Sequence, residues 1–502
     1  MSPSFPPFSE IRAEAQRSLA AMPVDQLADI GILQPIENYY LVGTYPPLKA
    51  MGEITPAETF TGLTRNANIY LHLPFCEQRC TFCHFAKEIR PDSPRVTRYL
   101  AALHRELEIV TGMLPHRVTA ETVYFGGGTP SYLSAAQITA LFARLRQHID
   151  VPGTAEITFE LHPSVIDAPD YTDRLDALRD AGVNRWVFGV QSMDDRVLRK
   201  LNRGHEASHV YRLLDLLHER GLDNHSVDLI FGLPYQTEEN WYTTLTSLIG
   251  YGVDKFNIFP LMFKQADPIS AHYRNEPGIF PDLRQRLRMH FMTEALTRRL
   301  GFRRGPLFYY SKAATHSRQQ ENKYDSIEDT NLLPFGVSGF GYVGNTQYYN
   351  DCTMDGYMQR VEAGHPSVWH GVHLSTDERM RRAVMFNLRS RGVGRDDFRS
   401  RYGVDPAEHF AAELAPYREH DLIRIDDDAI RLTDKGVPVA DSIALRLVSP
   451  QVLARIQDAN SRIVDLKRDP LDRYDFSPLE RDPVGAGVAT AGRRPLLPTV
   501  EH

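Results

Sequence analysis

Short apolar runs rich in β-branched and aromatic residues recur between residues 69 and 263, separated by longer stretches of helical period. The runs are IYLHL (69–73), TVYF (122–125), EITFEL (156–161), RWVFGV (185–190), SVDLIFGL (226–233) and KFNIFPL (255–261). Between them the spacing predicts amphipathic helices such as YLAALHRELEIVTGML (99–114) and AAQITALFARLRQHI (135–149). Strands alternating with helices predict βα units and a parallel sheet. Six such units make an α/β fold, a partial or complete parallel barrel, with a doubly wound open sheet as the alternative. In a parallel barrel the strand C-termini and the loops after them carry chemistry. The unusual motifs of this chain fall at those positions.

The flanks have a different texture. Residues 1–65 form an N-terminal extension with one helix over 9–22, then an aromatic and proline-rich stretch, ENYYLVGTYPPLKAM (37–51). The core of the barrel is expected over 66–263. Residues 264–370 combine a helix (283–300) with a Gly/aromatic segment, LLPFGVSGFGYVGN (332–345), and are expected to extend the barrel and its substrate pocket. Residues 371–465 read as helix (LSTDERMRRAVMFNLR), helix (DPAEHFAAELAPYREHDL) and hairpin (IRIDDDAIRLTDKG), a small winged-helix-like α+β domain. The tail from 466 to 502 is Pro-, Gly- and charge-rich and is expected to be disordered.

Charge and composition narrow the picture without naming a function. The 502 residues carry 57 Lys+Arg against 64 Asp+Glu, a net −7. That balance speaks against nucleic acid or an anionic membrane as partner. The acidic hairpin (Asp426, Asp427, Asp428) likewise argues against a DNA-reading wing. Prolines and charges interrupt the first residues where a secretory signal needs an apolar run, and no run of 18 or more apolar residues exists, so a cytoplasmic location is expected.

Only four cysteines occur, too few for a disulfide scaffold. Three of them, Cys76, Cys80 and Cys83, form a C-x3-C-x2-C loop directly after the first predicted strand. A zinc site ordinarily takes four ligands, and no second cysteine pair exists. Free buried thiols have no reason to cluster at this spacing in a loop. An iron–sulfur cube needs four ligands, and three cysteines would leave one iron open for a small molecule. The spacing favours this last reading.

The loop and its place resemble those of the radical S-adenosylmethionine (SAM) superfamily. That resemblance implies a 4Fe–4S cluster whose open iron chelates SAM, one-electron cleavage to a 5′-deoxyadenosyl radical, and a flavodoxin- or ferredoxin-type electron donor. YFGGGTPSYL (124–133), FELHPS (159–164), FGVQSMDDRVLRKLNRGH (188–205) and VDLIFGLPYQT (227–237) follow at strand ends and are similar to the oxygen-independent coproporphyrinogen oxidase (HemN-like) branch. The likeness extends over about residues 40–450. In that branch two SAM molecules occupy the barrel mouth. By resemblance Cys76, Cys80 and Cys83 ligate the cluster, and Phe82 lies against an adenine. Tyr70 lies near the cluster-bound SAM, and Gly127, Gly128 and Thr129 provide glycine-rich contacts. Glu160, Gln191, Arg203 and Asp228 make polar contacts to SAM, Arg203 being suited to a carboxylate.

Two departures bear on the reaction. The decarboxylating members continue the motif as C-x3-C-x2-C-x-C, whereas here Cys83 is followed by His84 and Phe85. Their YTSYPT-like segment is also altered, to GTYPPLKAM (43–51). Members without the fourth cysteine include haem-handling enzymes, haem chaperones, and C-methylases and cyclopropanases that use the second SAM as carbon donor. The preferred expectation is therefore methyl or methylene transfer to a natural product, in which a partner methyltransferase would be compatible. A coproporphyrinogen dehydrogenase or haem-processing enzyme acting on a tetrapyrrole is the alternative, and a non-catalytic haem chaperone the reading from another class. His84 and His205 read as packing or solvated histidines rather than proton carriers, Cys352 as a lone thiol, and the aromatic stretches 39–45 and 308–312 mainly as core.

Overall fold

The computed structural model describes residues 5–36, 39, 41–264, 267–306, 308–313, 316–324 and 330–462. The six expected strands are present: β1 (Asn66–Leu73), β2 (Thr119–Gly127), β3 (Glu156–Leu161), β4 (Arg185–Gln191), β5 (His225–Phe231) and β6 (Lys255–Pro260). They pair in chain order and all are parallel. No strand order reverses within the six, so the doubly wound alternative falls and the fold is a partial (βα)6 barrel.

The helices between them start where side chains can hold orphan backbone donors. In chain order α1 is Phe8–Ala21, α2 Ser93–Gly112, α3 Ala135–His148, α4 Tyr171–Asp180, α5 Ala207–Glu219 and α6 Glu238–Gly250. Asp92 caps α2, and Ser134–Gln137 and Thr237–Asn240 form capping boxes on α3 and α6. Each such cap stabilises by about 1 kcal/mol. Along α2 the buried side is Val96, Leu100, Leu103, Leu107 and Val110, a three-to-four spacing that lays one stripe on the sheet.

The sheet continues past the six strands on both sides. After α7 (Leu283–Arg299), β7 (Tyr309–Ser311) pairs antiparallel with β6. Beyond α8 (Arg318–Tyr324), β8 (Leu332–Phe335) pairs parallel with the free side of β1. β9 (Phe340–Val343), β10 (Thr346–Asn350) and β11 (Val368–His373) then add antiparallel. The Gly/aromatic segment thus contributes a seventh parallel strand and begins a meander, and among the described residues the sheet has 13 strands and its two edge strands do not pair.

The C-terminal domain holds α9 (Thr376–Leu388), α10 (Arg395–Tyr402) and α11 (Ala411–Glu419) beside a three-stranded sheet formed by Val393–Gly394, Ile423–Ile425 and Ala429–Leu432. The single helix expected over 405–422 is divided: Phe410, 1 % exposed, leaves helical geometry between Pro406–His409 and α11. Asp426 and Asp428 of the hairpin accept from Arg424 and Arg431 at 2.6 Å each, so its acidic character is compensated in place. The aromatic stretch near the N-terminus ties the ends of the chain together. Tyr39 donates to Asp441 (2.6 Å), and Arg389 donates to Asp441 (2.6 Å) and to the Val42 carbonyl (2.7 Å). No single helix among the described residues is long and apolar enough to cross a membrane. The tail expected to be disordered over 466–502 lies outside the described residues.

Candidate active site

Cys76 leaves β1 in a two-residue strand, Phe75–Cys76, that pairs with Glu88–Ile89 and so closes the cysteine loop at its base. Within the loop the Cys83 amide donates to the Cys80 carbonyl (3.3 Å), and Lys87 Nζ reaches the carbonyls of Cys83 (2.5 Å) and Phe85 (3.1 Å). Two side chains from elsewhere touch the thiols. Thr129 Oγ1 donates to Cys76 Sγ (3.6 Å), and Arg203 Nη1 to Cys80 Sγ (3.2 Å). Burial pushes the Cys76 thiol up to about 12 and raises that of Cys83. Without a metal to replace their protons these two stay thiols at neutral pH.

Below the loop, alternate residues of the strands face the barrel interior in layers. Tyr70, Tyr124, Glu160 and Asp228 form one of them. Tyr124 donates to Glu160 (2.8 Å), and Asn257 Nδ2 to Asp228 (2.5 Å). Burial, then the neighbouring Asp228, pushes Glu160 up to about 7, and burial pushes Asp228 to about 6. A carboxyl poised near neutrality can accept or donate to a ligand hydroxyl or ammonium. One layer lower, Arg185 (2 % exposed) donates to Ser226 (2.9 Å) and to the His316 carbonyl (3.1 Å). Its charge offsets part of the negative potential of Glu160 and Asp228.

At the rim, Gln191 ends β4 with φ +70°, a left-handed backbone unusual for glutamine. That turn sets its amide beside the Arg203 guanidinium over Gly189, whose carbonyl Arg203 also engages. Strain of this kind is retained where the surroundings over-determine it, and it clusters at ligand sites. Gly128 is held between β1 and the loop, donating to the Leu73 carbonyl at 2.9 Å. Phe82 packs beside Tyr235, Phe263 and Tyr273 on a small apolar cluster under the cysteine loop.

The expected residues Tyr70, Gly127, Gly128, Thr129, Glu160, Gln191, Arg203 and Asp228 thus converge around the barrel mouth and the three cysteines. His205 is 3 % exposed and is driven down to about 2, chiefly by burial, with its ring edge-on to His162 at 5.1 Å. His84 is also held neutral by burial. Cys352 is packed with Leu48, Met51 and Tyr349, and its thiol donates to the Asn350 carbonyl (3.6 Å). Tyr309 and Tyr310 are core, as expected.

Sequence reasoning passed over His72. Its Nε2 donates to the Ala86 carbonyl (2.9 Å), so its Nδ1 accepts from Tyr70 (3.1 Å). Burial drives it down to about 4, so the ring is neutral, and the Ala86 carbonyl places its single proton on Nε2. His72 therefore links the Tyr70 hydroxyl to the far side of the cysteine loop. The period-2 spacing Asn68–Tyr70–His72 was the available signal.

The residues present fit an iron–sulfur cube better than a single ion. Among the described residues no three His, Cys, Asp or Glu side chains are disposed to hold one metal ion. A cube takes each thiolate on a different iron and accepts wider spacing.

Comparison with known proteins agrees with this geometry. Residues 70–248 match the radical SAM superfamily, and residues 374–439 match the HemN C-terminal domain. The oxygen-independent coproporphyrinogen III oxidase of Escherichia coli K12 is 28 % identical over 390 residues, covering 74 % of this chain and 83 % of that protein. The heme chaperone HemW of Bacillus subtilis is 27 % identical (73 % and 95 %), and the anaerobilin synthase of E. coli O157:H7 is 26 % identical (75 % and 82 %). The solved structure of coproporphyrinogen III oxidase (HemN) from E. coli superposes with a TM-score of 0.69 at 26 % identity, covering 83 % of this chain and 95 % of that one. The chain therefore carries a radical SAM domain and a HemN C-terminal domain, and its relatives are proteins of the HemN type. The superfamily that the first domain matches uses a 4Fe–4S cluster and SAM.

Proposed function

We propose that the protein is a catalytically active radical SAM enzyme of HemN type whose substrate is a cyclic tetrapyrrole, in the manner of a coproporphyrinogen oxidase or a haem-processing enzyme. The observation that carries the reading is the convergence of Tyr70, Glu160, Gln191, Arg203 and Asp228 on the mouth that also holds the three cysteines. A carrier of haem has no need of so complete a polar shell. Relatives named for tetrapyrrole chemistry support the substrate class, whereas nothing comparable supports methyl or methylene transfer.

In this reading Cys76, Cys80 and Cys83 hold the cluster. When bound and reduced by a flavodoxin- or ferredoxin-type donor, the cluster and SAM supply a carbon radical that abstracts hydrogen. Thr129 and Arg203 donate to the sulfurs of Cys76 and Cys80, stabilising thiolate character. Arg203 and Gln191 orient the carboxylate of SAM, and Glu160 and Asp228 accept from its ammonium and hydroxyl groups. Tyr70, oriented through His72, closes the inner side, and Phe82 offers an aromatic face to the adenine. The surrounding apolar walls exclude water that would quench a radical.

Anaerobic reconstitution followed by reduction in the presence of SAM, with coproporphyrinogen III and haem supplied in separate assays, tests this. The expected outcome is 5′-deoxyadenosine formed together with consumption of one tetrapyrrole. S-adenosylhomocysteine accumulating without tetrapyrrole turnover would return the methyl-transfer reading. Haem bound with no 5′-deoxyadenosine from a fully loaded cluster would identify a carrier.

A further inference from the structure

Asp228 stands on the inner face of β5, half-buried at the barrel mouth. Cross-strand register extends its row across two more strands: Asp228 lies opposite Asn257 of β6, and Asn257 lies opposite Tyr309 of β7. Residues directly opposite on neighbouring strands point to the same side of a sheet, so the three side chains share one face. After β7 the chain turns back and sets His316 against this row. Its ring stacks on Tyr309, with centroids 4.9 Å apart and planes inclined by 24°.

Hydrogen bonds run along the row in one direction. His316 Nε2 lies 2.5 Å from Asn257 Oδ1, and Asn257 Nδ2 donates to Asp228 Oδ1 at 2.5 Å. An ionised carboxylate only accepts, so the amide turns its N–H to Asp228 and its oxygen to His316. That oxygen takes the proton of Nε2. Burial, then the charges of Arg185 and Lys255, keep the ring neutral, so a proton on Nε2 leaves Nδ1 bare. His316 Nδ1 is a buried atom with no hydrogen-bond partner, a position that a bare acceptor tolerates better than an N–H. His316 and Asn257 are 4 % and 6 % exposed, so water does not compete for these bonds.

The neighbouring charges do not replace the amide. Arg185 directs its donors to Ser226 (2.9 Å), Thr158 (3.4 Å) and the His316 carbonyl (3.1 Å). Among the described residues Asn257 is the one that donates to Asp228, and only to Oδ1. Glu160 faces Asp228 across the barrel, and two adjacent carboxyls favour one proton between them. The Asn257 donor biases the anion towards Asp228.

We propose that His316 and Asn257 are positioning residues of the SAM site: His316 fixes the orientation of the Asn257 amide, and that amide holds Asp228 as an anion whose second oxygen is left for the ligand. The inference rests on the reading of Asp228 as a contact to a SAM ammonium or hydroxyl group. Both residues act on SAM through Asp228, and His316 acts through Asn257. Losses from the two are therefore not additive.

The test uses the cluster-loaded full chain under anaerobic conditions, with SAM as the probe in equilibrium dialysis and variants compared at equal iron per chain. Asp228→Asn should weaken SAM binding at least tenfold. Asn257→Leu should weaken it about tenfold and His316→Phe, which keeps the stack on Tyr309, about fivefold. His316→Gln restores an N–H and should stay within about twofold of the parent. The His316→Phe/Asn257→Leu pair should bind no more weakly than Asn257→Leu alone. Independently of SAM, nitrogen NMR of the parent at pH 8 should show the Nε2–H tautomer of His316, its signal identified by its loss in His316→Gln. An Nδ1–H tautomer overturns the proposal. Parental affinity in Asn257→Leu or His316→Phe, with Asp228→Asn weakened, overturns it and leaves Asp228 as a SAM contact. Additive losses in the pair also overturn it, because they mark two separate packing effects. Parental affinity in Asp228→Asn removes the reading of Asp228 itself, and the proposal falls with it.

Discussion

A methyl group on Gly127 would have nowhere to go. The residue sits at φ +114°, and its Cβ would lie 2.6 Å from Cε1 of the His72 ring. His72 cannot yield freely, since both ring nitrogens are engaged, one by the Ala86 carbonyl of the cysteine loop and the other by Tyr70. Gly127→Ala is therefore expected to cost about 1–3 kcal/mol of apo stability, from backbone strain alone or more with the displaced ring. It should also lower cluster retention, because the displaced ring pulls on the loop. Denaturant midpoints and iron bound per chain check both effects, and parental values for both would contradict the contact. At this scale the sequence was most legible where a residue type is forced. Three cysteines in eight residues and three consecutive glycines have few other uses. Arg185 escaped notice because it opens an apolar run and reads as the polar edge of a strand, whereas the barrel interior has room for one buried cation facing two carboxyls.

At the scale of elements, Glu106 joins α2 to the meander. Its carboxyl accepts from the Gly336 amide (2.7 Å), Tyr357 (2.8 Å), Asn350 (3.2 Å) and Ser367. Burial nonetheless outweighs these donors and pushes it from 4.5 up to about 7. A carboxyl raised in the folded state contributes stability that is complete below pH 4.5 and is lost as pH rises through about 7. The size is on the order of 3 kcal/mol, at about 1.4 kcal/mol per pH unit. Glu160 and Asp228 shift the same way and add to the trend. Glu106→Gln should flatten part of this decline. It should also be less stable than the parent near pH 5, because its amide meets a donor, either the Gly336 N–H or the Asn350 amide. Chemical denaturation of the apoprotein across pH 5–8 measures both, and an unchanged slope would contradict the assignment. The six barrel strands were visible in advance because parallel strands with helices on the outer face and a filled interior on the other are covered on both sides and read as short apolar, β-branched runs. β8 was not, since Gly336 and Pro334 break its pattern and its partner β1 lies more than 250 residues away in sequence. α10 escaped because it buries only Phe398 and so carries no apolar stripe.

For the whole molecule, one ion pair decides how the two ends of the chain sit against the barrel. Arg389 and Asp441 are 2 % and 3 % exposed and 2.6 Å apart. Around them Tyr39 and the Val42 amide donate to Asp441, and Arg389 donates back to the Val42 carbonyl. The sequence offered the aromatic content of residues 39–45 but no hint of partners some 400 residues away, because long-range pairing leaves no local period. Removing the carboxylate strands a buried guanidinium, a tyrosine hydroxyl and a backbone amide together. Asp441→Ala is therefore expected to cost about 3–5 kcal/mol. Because the lost acceptor served both ends, limited proteolysis should open residues 36–51 and the C-terminal domain at the same protease concentration. Asp441→Asn keeps acceptor atoms for Tyr39 and Val42 and should lose less, whereas an Arg389→Met/Asp441→Leu pair should recover much of the stability by removing both charges. Cleavage confined to one end would show that the two are held separately, and loss of stability equal in the single and double variants would show that packing, not charge, joins them.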